Sequence, residues 1–284
     1  MDKLIFNSPA KINIGLNILE KRNDGYHNLE TIFYPLLLSD YITFQKSDKT
    51  TLTSNSKEIE NLSSNLVIDS ITLLQNFTKK EFEVKINLEK NIPIGAGLGG
   101  GSSNAATTLK AVNQLFNLNF DYTQLFKLAL EIGSDVPYLL NPVPCFASSR
   151  GEVLTKINLY LGQPILIVNP GIHISTKWAF DNFKVENRNG KLSEVKTKKN
   201  VTLDDIKKIA TNDFEEIVFK EYPDIKPIKD KLYNLGAEFS LMTGTGSTVF
   251  GIFSNLQKAR FAQNEFEKDY FTYLNFPVDK GSIT

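Results

Sequence analysis

The chain has 284 residues, 41% hydrophobic and 11% aromatic, enough for one large domain or two closely joined ones around an ordinary globular core. Lys plus Arg balance Asp plus Glu at 32 each, so no net field draws the protein to nucleic acid or an anionic membrane, and an anionic ligand has to be held locally. A single cysteine, Cys145, excludes an intramolecular disulfide framework and a Cys-rich metal centre; with only His27 and His173 besides, no dedicated metal site is expected, and Cys145 reads as a small buried hydrophobe.

The N-terminal stretch MDKLIFNSPAKIN lacks the apolar run of a secretory signal, and no segment approaches the ~18 apolar residues of a membrane span, so a cytoplasmic location is expected. KLIFN (3–7) reads as a strand. KINIGLNI (11–18) alternates as a half-buried strand, with Ile12, Ile14, Leu16 and Ile18 on one face and Lys11, Asn13, Gly15 and Asn17 on the other. A turn at Asn23-Asp24-Gly25 leads into LETIFYPLLL and YITF, and FEVKINL (82–88) alternates again. Periodicity predicts helices over Asn65–Phe77, Ser103–Phe116 and Tyr122–Ile132, and later ones over 203–210, 213–222, 224–235 and 255–268. The polar, Lys-containing stretch 184–200 reads as a solvated loop, and strands AEFSLM (237–242) and STVFGIF (247–253) flank the turn Thr243-Gly244-Thr245-Gly246. Helices mixed with antiparallel strands in this order predict an α+β fold, with a boundary near 155 dividing 1–155 from 156–284.

The densest signal is Gly95, Gly97, Gly99, Gly100 and Gly101, followed by Ser102-Ser103-Asn104 at the start of an amphipathic helix. Each glycine costs roughly 0.5–1 kcal/mol of chain entropy relative to alanine, so the run has to be required by something. A strand, a glycine loop and a helix in sequence form a phosphate cradle: glycines let the backbone close on an anion, and the unbonded N–H groups of the first helical turn point at it. The hydroxyls of Ser102 and Ser103 add a cap or a metal-facing oxygen. Gly95 to Gly100 satisfies G-x-G-x-x-G, and Asp121 follows at the spacing of a ribose-binding acid, but the alternating parallel strand-helix pattern of a dinucleotide fold is missing. Ser102 without a preceding lysine rules out a Walker loop, and the protein-kinase His-Arg-Asp and Asp-Phe-Gly are missing too. A flexible loop without a ligand is the bland alternative; it explains less, because this loop opens a helix.

The run Pro93-Ile94-Gly95-Ala96-Gly97-Leu98-Gly99-Gly100-Gly101-Ser102-Ser103-Asn104-Ala105-Ala106 resembles the second motif of the GHMP kinases. Their first motif is matched by Ser8 to Leu16 with Arg22, Asp24, Gly25, Tyr26, His27 and Leu29, and their third by Met242-Thr243-Gly244-Thr245-Gly246-Ser247; with Gly133-Ser134-Asp135-Val136-Pro137 the matches run in order along nearly the whole chain. The extra glycine before S-S-N-A-A resembles the branch that acts on a cytidine diphosphate sugar-alcohol. The resemblance implies a two-lobed α+β kinase with an N-terminal nucleotide-binding domain, a C-terminal substrate domain and the active site between them. It implies transfer of a phosphoryl group from ATP, with Mg²⁺ carried by ATP, to the 2-hydroxyl of that small molecule in the non-mevalonate route to isoprenoid precursors. No nucleic acid or membrane partner is expected, and the assembly is expected to be a monomer or homodimer. Another small-molecule kinase of the superfamily and a non-catalytic nucleotide-binding regulator are the rivals.

Roles follow by position from the resemblance. Lys11 and Asp135 are the expected catalytic pair, Asp135 orienting or deprotonating the attacking hydroxyl while Lys11 stabilises charge. Taken alone, Lys11 and Asn13 read as a solvated face and Asp135 as a helix cap. Asn65 and Leu66 are expected near adenine, the five glycines with Ser102 and Ser103 near the phosphates, and Ser103 is the candidate to touch Mg²⁺. Asn13, Tyr26, His27, Phe180, Gly244, Thr245 and Gly246 are expected on the substrate, with Tyr26 stacking on the base, His27 contacting its ring and Phe180 closing the other face. His173 receives no role. Ser148-Ser149-Arg150-Gly151-Glu152 departs from the pattern, carrying a serine where a glycine is expected, and reads as a domain junction.

Overall fold

The computed structural model describes residues 3–60, 65–184 and 190–276. In chain order the elements are β1 (Lys3–Lys21), β2 (His27–Lys46), β3 (Thr51–Ser54), α1 (Lys57–Glu60), α2 (Leu66–Thr78), β4 (Val84–Glu89), α3 (Gly100–Leu115), α4 (Tyr122–Ile132) and α5 (Val136–Leu139). There follow β5 (Cys145–Ser148), β6 (Val153–Lys156), β7 (Ile165–Asn169), α6 (Thr176–Asn182), a 3₁₀ turn (Leu192–Thr197), α7 (Leu203–Ile209), α8 (Glu215–Glu221), α9 (Lys226–Asn234), β8 (Ala237–Met242), β9 (Val249–Phe253), α10 (Leu256–Phe266) and β10 (Phe271–Asn275).

The chain forms two compact units that interleave in sequence, one built from residues 1–10, 38–92 and 99–142, the other from 11–37, 93–98 and 143–284. In the first unit β3 runs parallel to β4, and β4 pairs antiparallel with the second half of β2, Tyr41 opposite Glu89. Val84, Ile86 and Leu88 point inward from β4, and α2 and α3 pack together. Phe82 stacks on Phe116 at 4.8 Å and Phe6 meets Phe44 edge-on, so aromatic pairs close the core. In the second unit four antiparallel strands lie in the order β10-β7-β9-β8, and the first half of β2 pairs with β5, which pairs with β6. Its core gathers Leu16, Ile18, Val168, Phe214, Leu232 and Phe266.

The α+β class holds, and several predicted elements change in detail. The separate strands expected at 3–7 and 11–18 are one strand, β1, and LETIFYPLLL and YITF likewise belong to β2. Strand 11–18 is buried on both faces rather than one: Lys11 and Asn13 are 3% and 4% exposed. The helix expected from Ser103 starts three residues earlier, inside the glycine run. The stretch 184–200 is not simply a solvated loop, because Leu192 and Val195 in its 3₁₀ turn are buried and Leu192 packs on Gly15; residues 185–189 lie outside the described residues. Asp121, the dinucleotide alternative's ribose acid, is the N-cap of α4 in a capping box with Gln124.

Candidate active site

The glycine run divides between the units, Gly99, Gly100 and Gly101 falling in the first and Gly95 and Gly97 in the second. In the first unit Gly99 is the N-cap of α3 with φ +72°, a conformation glycine adopts without a Cβ penalty, and no side chain caps the helix. The serines therefore do not cap it: Ser103 lies one turn in, its backbone N–H donates to the Gly99 carbonyl, and its buried hydroxyl accepts a hydrogen bond from Ser8 at 2.9 Å. An α3 N-terminus without a side-chain cap presents backbone N–H groups and the positive end of the helix dipole, which suits an anion. Asp40 locks this end of the unit, accepting from the Lys90 ammonium, the Asn91 and Ile92 N–H groups and the Asn104 amide. Leu66 sits beside Gly101, where a methyl group would stand 3.6 Å from its Cδ1, and Asn65 caps α2 by accepting from the Val67 N–H at 2.9 Å. Predicted Asn65, Leu66 and Gly101 are thus brought together. Asp135 occupies the N-cap position of α5 ahead of Pro137 without making a side-chain capping bond.

In the second unit the buried Lys11 ammonium donates to the Asn13 side-chain oxygen at 2.7 Å and to the Gly97 carbonyl at 3.3 Å, and stands 5.5 Å over the Phe33 ring. Asn13 is fixed in turn: its backbone N–H donates to the Thr243 hydroxyl at 2.9 Å and its amide to the Thr31 hydroxyl at 2.8 Å. The Thr243 hydroxyl also reaches the Gly97 carbonyl at 3.3 Å. Three sequence motifs distant along the chain therefore meet at the Gly97 carbonyl. Gly97 has φ +75°, and a Cβ there would overlap the Thr243 carbonyl oxygen and stand 3.0 Å from that of Gly246. A Cβ at Gly95 would overlap the His173 imidazole. The 243–248 turn is held by Asn212, whose amide donates to the Met242 and Gly244 carbonyls at 2.7 and 2.8 Å. The Gly246 N–H is spent inside the turn on the Thr243 carbonyl, and Thr245 is buried with its hydroxyl 3.5 Å from that of Thr176.

The hairpin tip after β1 carries Tyr26, half-exposed, with the Arg150 guanidinium 4.4 Å from its ring centroid. His27 is buried and stacks on Phe180 at 5.1 Å, and Phe180 turns its ring edge-on to Phe214 in the core. Burial and the nearby Lys21 hold the His27 imidazole below its usual 6.5, against the opposing pull of Asp181. Among the described residues no group of three or more His, Cys, Asp or Glu could hold a metal ion. Cys145 is buried and its thiol is pushed up to about 12 by desolvation, the inert hydrophobe expected of it.

The model of the GHMP kinases N terminal domain matches residues 65–141, and that of GHMP kinases C terminal matches 198–272. A 4-diphosphocytidyl-2-C-methyl-D-erythritol kinase from Chloroherpeton thalassium is 40% identical over 94% of this chain and 95% of its own, and one from Bacteroides thetaiotaomicron is 42% identical over 86% and 90%. The chain is a GHMP kinase of the 4-diphosphocytidyl-2-C-methyl-D-erythritol kinase family.

A solved structure of a 4-(cytidine 5'-diphospho)-2C-methyl-D-erythritol kinase superposes with a TM-score of 0.78 at 28% identity, covering 96% of this chain and 98% of that one. A homoserine kinase from Cytophaga hutchinsonii, at 17% identity and a TM-score of 0.75, shares the fold. As a GHMP kinase the chain is an ATP-dependent enzyme acting on a small molecule. Sequence reasoning passed over three residues of this site. Thr243 belongs to the third motif but carries no expected role, yet its hydroxyl ties Asn13 to the glycine loop. His173 stands where a Cβ at Gly95 would go, at a position whose φ of +63° already favours glycine. Arg150, read as a domain junction, lies on Tyr26. Only Thr243 carried a sequence signal, its place in the third motif; the other two contacts join residues far apart in sequence with no periodicity to announce them.

Proposed function

We propose that this GHMP kinase transfers the γ-phosphoryl group of ATP to the 2-hydroxyl of 4-diphosphocytidyl-2-C-methyl-D-erythritol, in the non-mevalonate route to isoprenoid precursors. The observation that carries the reading is the match, over nine-tenths of the chain and more, to kinases bearing that substrate's name. The bond between the γ-phosphorus and the bridging oxygen breaks, a bond to the 2-hydroxyl oxygen forms, ADP leaves, and the hydroxyl gives up its proton. The loose transition state of phosphoryl transfer asks the protein for position and charge stabilisation more than for covalent chemistry. In this reading Asp135 orients or deprotonates the hydroxyl and Lys11 stabilises the developing charge. Gly95, Gly97, Gly99, Gly100 and Gly101, with Ser102 and the α3 N-terminus, hold the phosphates, and Asn65 and Leu66 flank the adenine.

Asn13, Tyr26, His27, Phe180, Gly244, Thr245 and Gly246 serve the acceptor, with Tyr26 as the base-stacking ring. Phe180 stacks on His27, so in this reading the two rings act together on the base. Mg²⁺ carried by ATP would supply neutralisation of phosphate charge. Ser103, the residue assigned to it from sequence, is fully buried against Ser8, so that assignment has no support in the side chain's surroundings. No helix among the described residues is long and apolar enough to cross a membrane, and we place the enzyme in the cytoplasm as a monomer or homodimer. In family terms residues 1–155 are the nucleotide domain and 156–284 the C-terminal domain.

The test is ATP consumption with Mg²⁺ against 4-diphosphocytidyl-2-C-methyl-D-erythritol, mevalonate, homoserine and galactose, with ³¹P NMR of any product. A new phosphomonoester on the cytidyl substrate alone is expected. Turnover of another acceptor in its place, or ATP binding without turnover of any, overturns the proposal.

A further inference from the structure

Tyr26 sits in a closed circuit of contacts that runs through the turn read from sequence as a domain junction. Its backbone N–H donates to Asp24 Oδ1 at 3.1 Å, and Asp24 pairs with the Arg22 guanidinium at 2.9 Å. Arg22 Nη1 donates to the Ser149 hydroxyl at 2.8 Å, and that hydroxyl donates to Glu152 Oε1 at 2.9 Å. Glu152 accepts from the Arg150 backbone N–H at 2.7 Å and faces the Arg150 Nε at 3.8 Å. The Arg150 guanidinium returns to the start by lying over the Tyr26 ring, 4.4 Å from its centroid. Five residues thus close on one aromatic ring.

Ser149 marks what the circuit is for. Its φ is +63°, in the left-handed region where glycine carries no steric penalty and an L side chain does. A serine held in that conformation makes its hydroxyl available as the bridge between Arg22 and Glu152. Arg22 and Asp24 are partly exposed, and such surface pairs add little stability singly. What they do together is fix direction: Arg150 is oriented by Glu152, and its planar guanidinium, unlike an ammonium, stacks flat on a ring.

We propose that Arg150 is a positioning residue for the acceptor: it covers one face of Tyr26 and holds the ring still, so that the planar base stacks on a single pre-oriented face. This rests on the reading of Tyr26 as the base-stacking ring given above. A half-exposed tyrosine at a hairpin tip otherwise loses rotamer freedom on binding, a loss of roughly three- to tenfold in affinity that a pre-oriented ring avoids.

The experiment measures KM for the cytidyl substrate, KM for ATP and kcat in Arg150→Gln, Ser149→Gly, Tyr26→Ala and Tyr26→Ala/Arg150→Gln, with thermal midpoints alongside. Arg150→Gln is expected to raise KM for the cytidyl substrate about three- to tenfold, with KM for ATP as the unmoved reference. The double variant is expected to match Tyr26→Ala. Ser149→Gly is expected to raise the same KM while leaving the thermal midpoint level or higher, since it relieves the left-handed strain; a merely structural role moves stability and KM together. An unchanged KM in Arg150→Gln while Tyr26→Ala raises it defeats this proposal and leaves the Tyr26 reading standing. A further rise in KM from Arg150→Gln in the Tyr26→Ala background also defeats it, by making Arg150 a direct contact. No effect of Tyr26→Ala defeats both readings, and a wild type inactive on the cytidyl substrate defeats the function and this proposal with it.

Discussion

Gly97→Ala isolates what the glycine run is for. Gly97 and Gly171 have nearly the same backbone conformation, φ +75° and +74°, yet a Cβ at Gly171 meets nothing within 4 Å while one at Gly97 overlaps the Thr243 carbonyl oxygen and crowds that of Gly246. Both alanines incur the left-handed penalty of about 1–2 kcal/mol. Gly97→Ala adds about 1–3 kcal/mol for pushing apart main chain that has no rotamer to escape into. An unfolding entropy near 2.1 cal/mol/K per residue gives about 0.6 kcal/mol/K for 284 residues, so each kcal/mol moves the midpoint by about 1.7 °C. Gly171→Ala should then lose about 2–3 °C and Gly97→Ala about 4–8 °C, read by differential scanning calorimetry under identical conditions. Equal midpoint losses would falsify the argument that close approach of the 243–246 turn, and not the dihedral alone, demands glycine at position 97.

Asp135→Asn should lower kcat by about 10²–10⁴, the range of a positioned acid or base, while ATP affinity by calorimetric titration stays within twofold; comparable turnover removes Asp135 from the mechanism. His27, whose burial disfavours the charged imidazole, should titrate below 6.5 when its ring protons are followed by NMR, and a midpoint at or above that value contradicts the packing. Because the unfolded chain then takes up this proton first, His27 favours the folded state above about 6.5, and its contribution falls away as pH drops through the folded value; His27→Gln should flatten that part of the stability profile. Cys145 should resist a thiol reagent at pH 8 in the native protein and give one equivalent on denaturation; rapid native labelling contradicts its burial. Asp40→Asn should cost about 3–5 kcal/mol by stranding the buried Lys90 ammonium, measured by denaturant unfolding, and a loss under 1 kcal/mol argues against the pair.

The elements most legible in the sequence are those that local chemistry decides. Periodicity places α4 to the residue, where the capping box of Asp121 and Gln124 fixes its start, and AEFSLM gives β8 to the residue because a glycine turn closes it. Helix α3 begins earlier than its periodicity predicts because glycine is a poor helix former, so its first turn reads as loop in the sequence. The breaks expected between residues 7 and 11 and between 38 and 41 do not occur, because β1 and β2 run through both. The burial of Lys11 and Asn13 is invisible to alternation, since period two tells two faces apart without saying what covers each; Thr243 and Gly97 cover this one. The motif residues were found by resemblance, whereas Arg150 on Tyr26 and His173 on Gly95 depend on contacts no local pattern encodes.

The interleaving of the two units sets the order in which the protein can be completed during synthesis. The first unit has all its residues once the chain reaches 142, but the second includes 11–37 and needs partners that come much later. Leu16 and Ile18 share a core with Phe214 and Phe266, and the Leu37 N–H bonds to the side chain of Asn275 in β10. At about 5–20 residues per second, translation leaves the apolar face of β1 without these partners for roughly 10–50 s. Long-range closure of this kind is slow, and the uncovered strand is the segment most exposed to mispairing while it waits. A ribosome stalling before β10 would therefore release a chain with one finished unit and one open apolar strand, a natural client for a chaperone and a poor candidate for expression by halves.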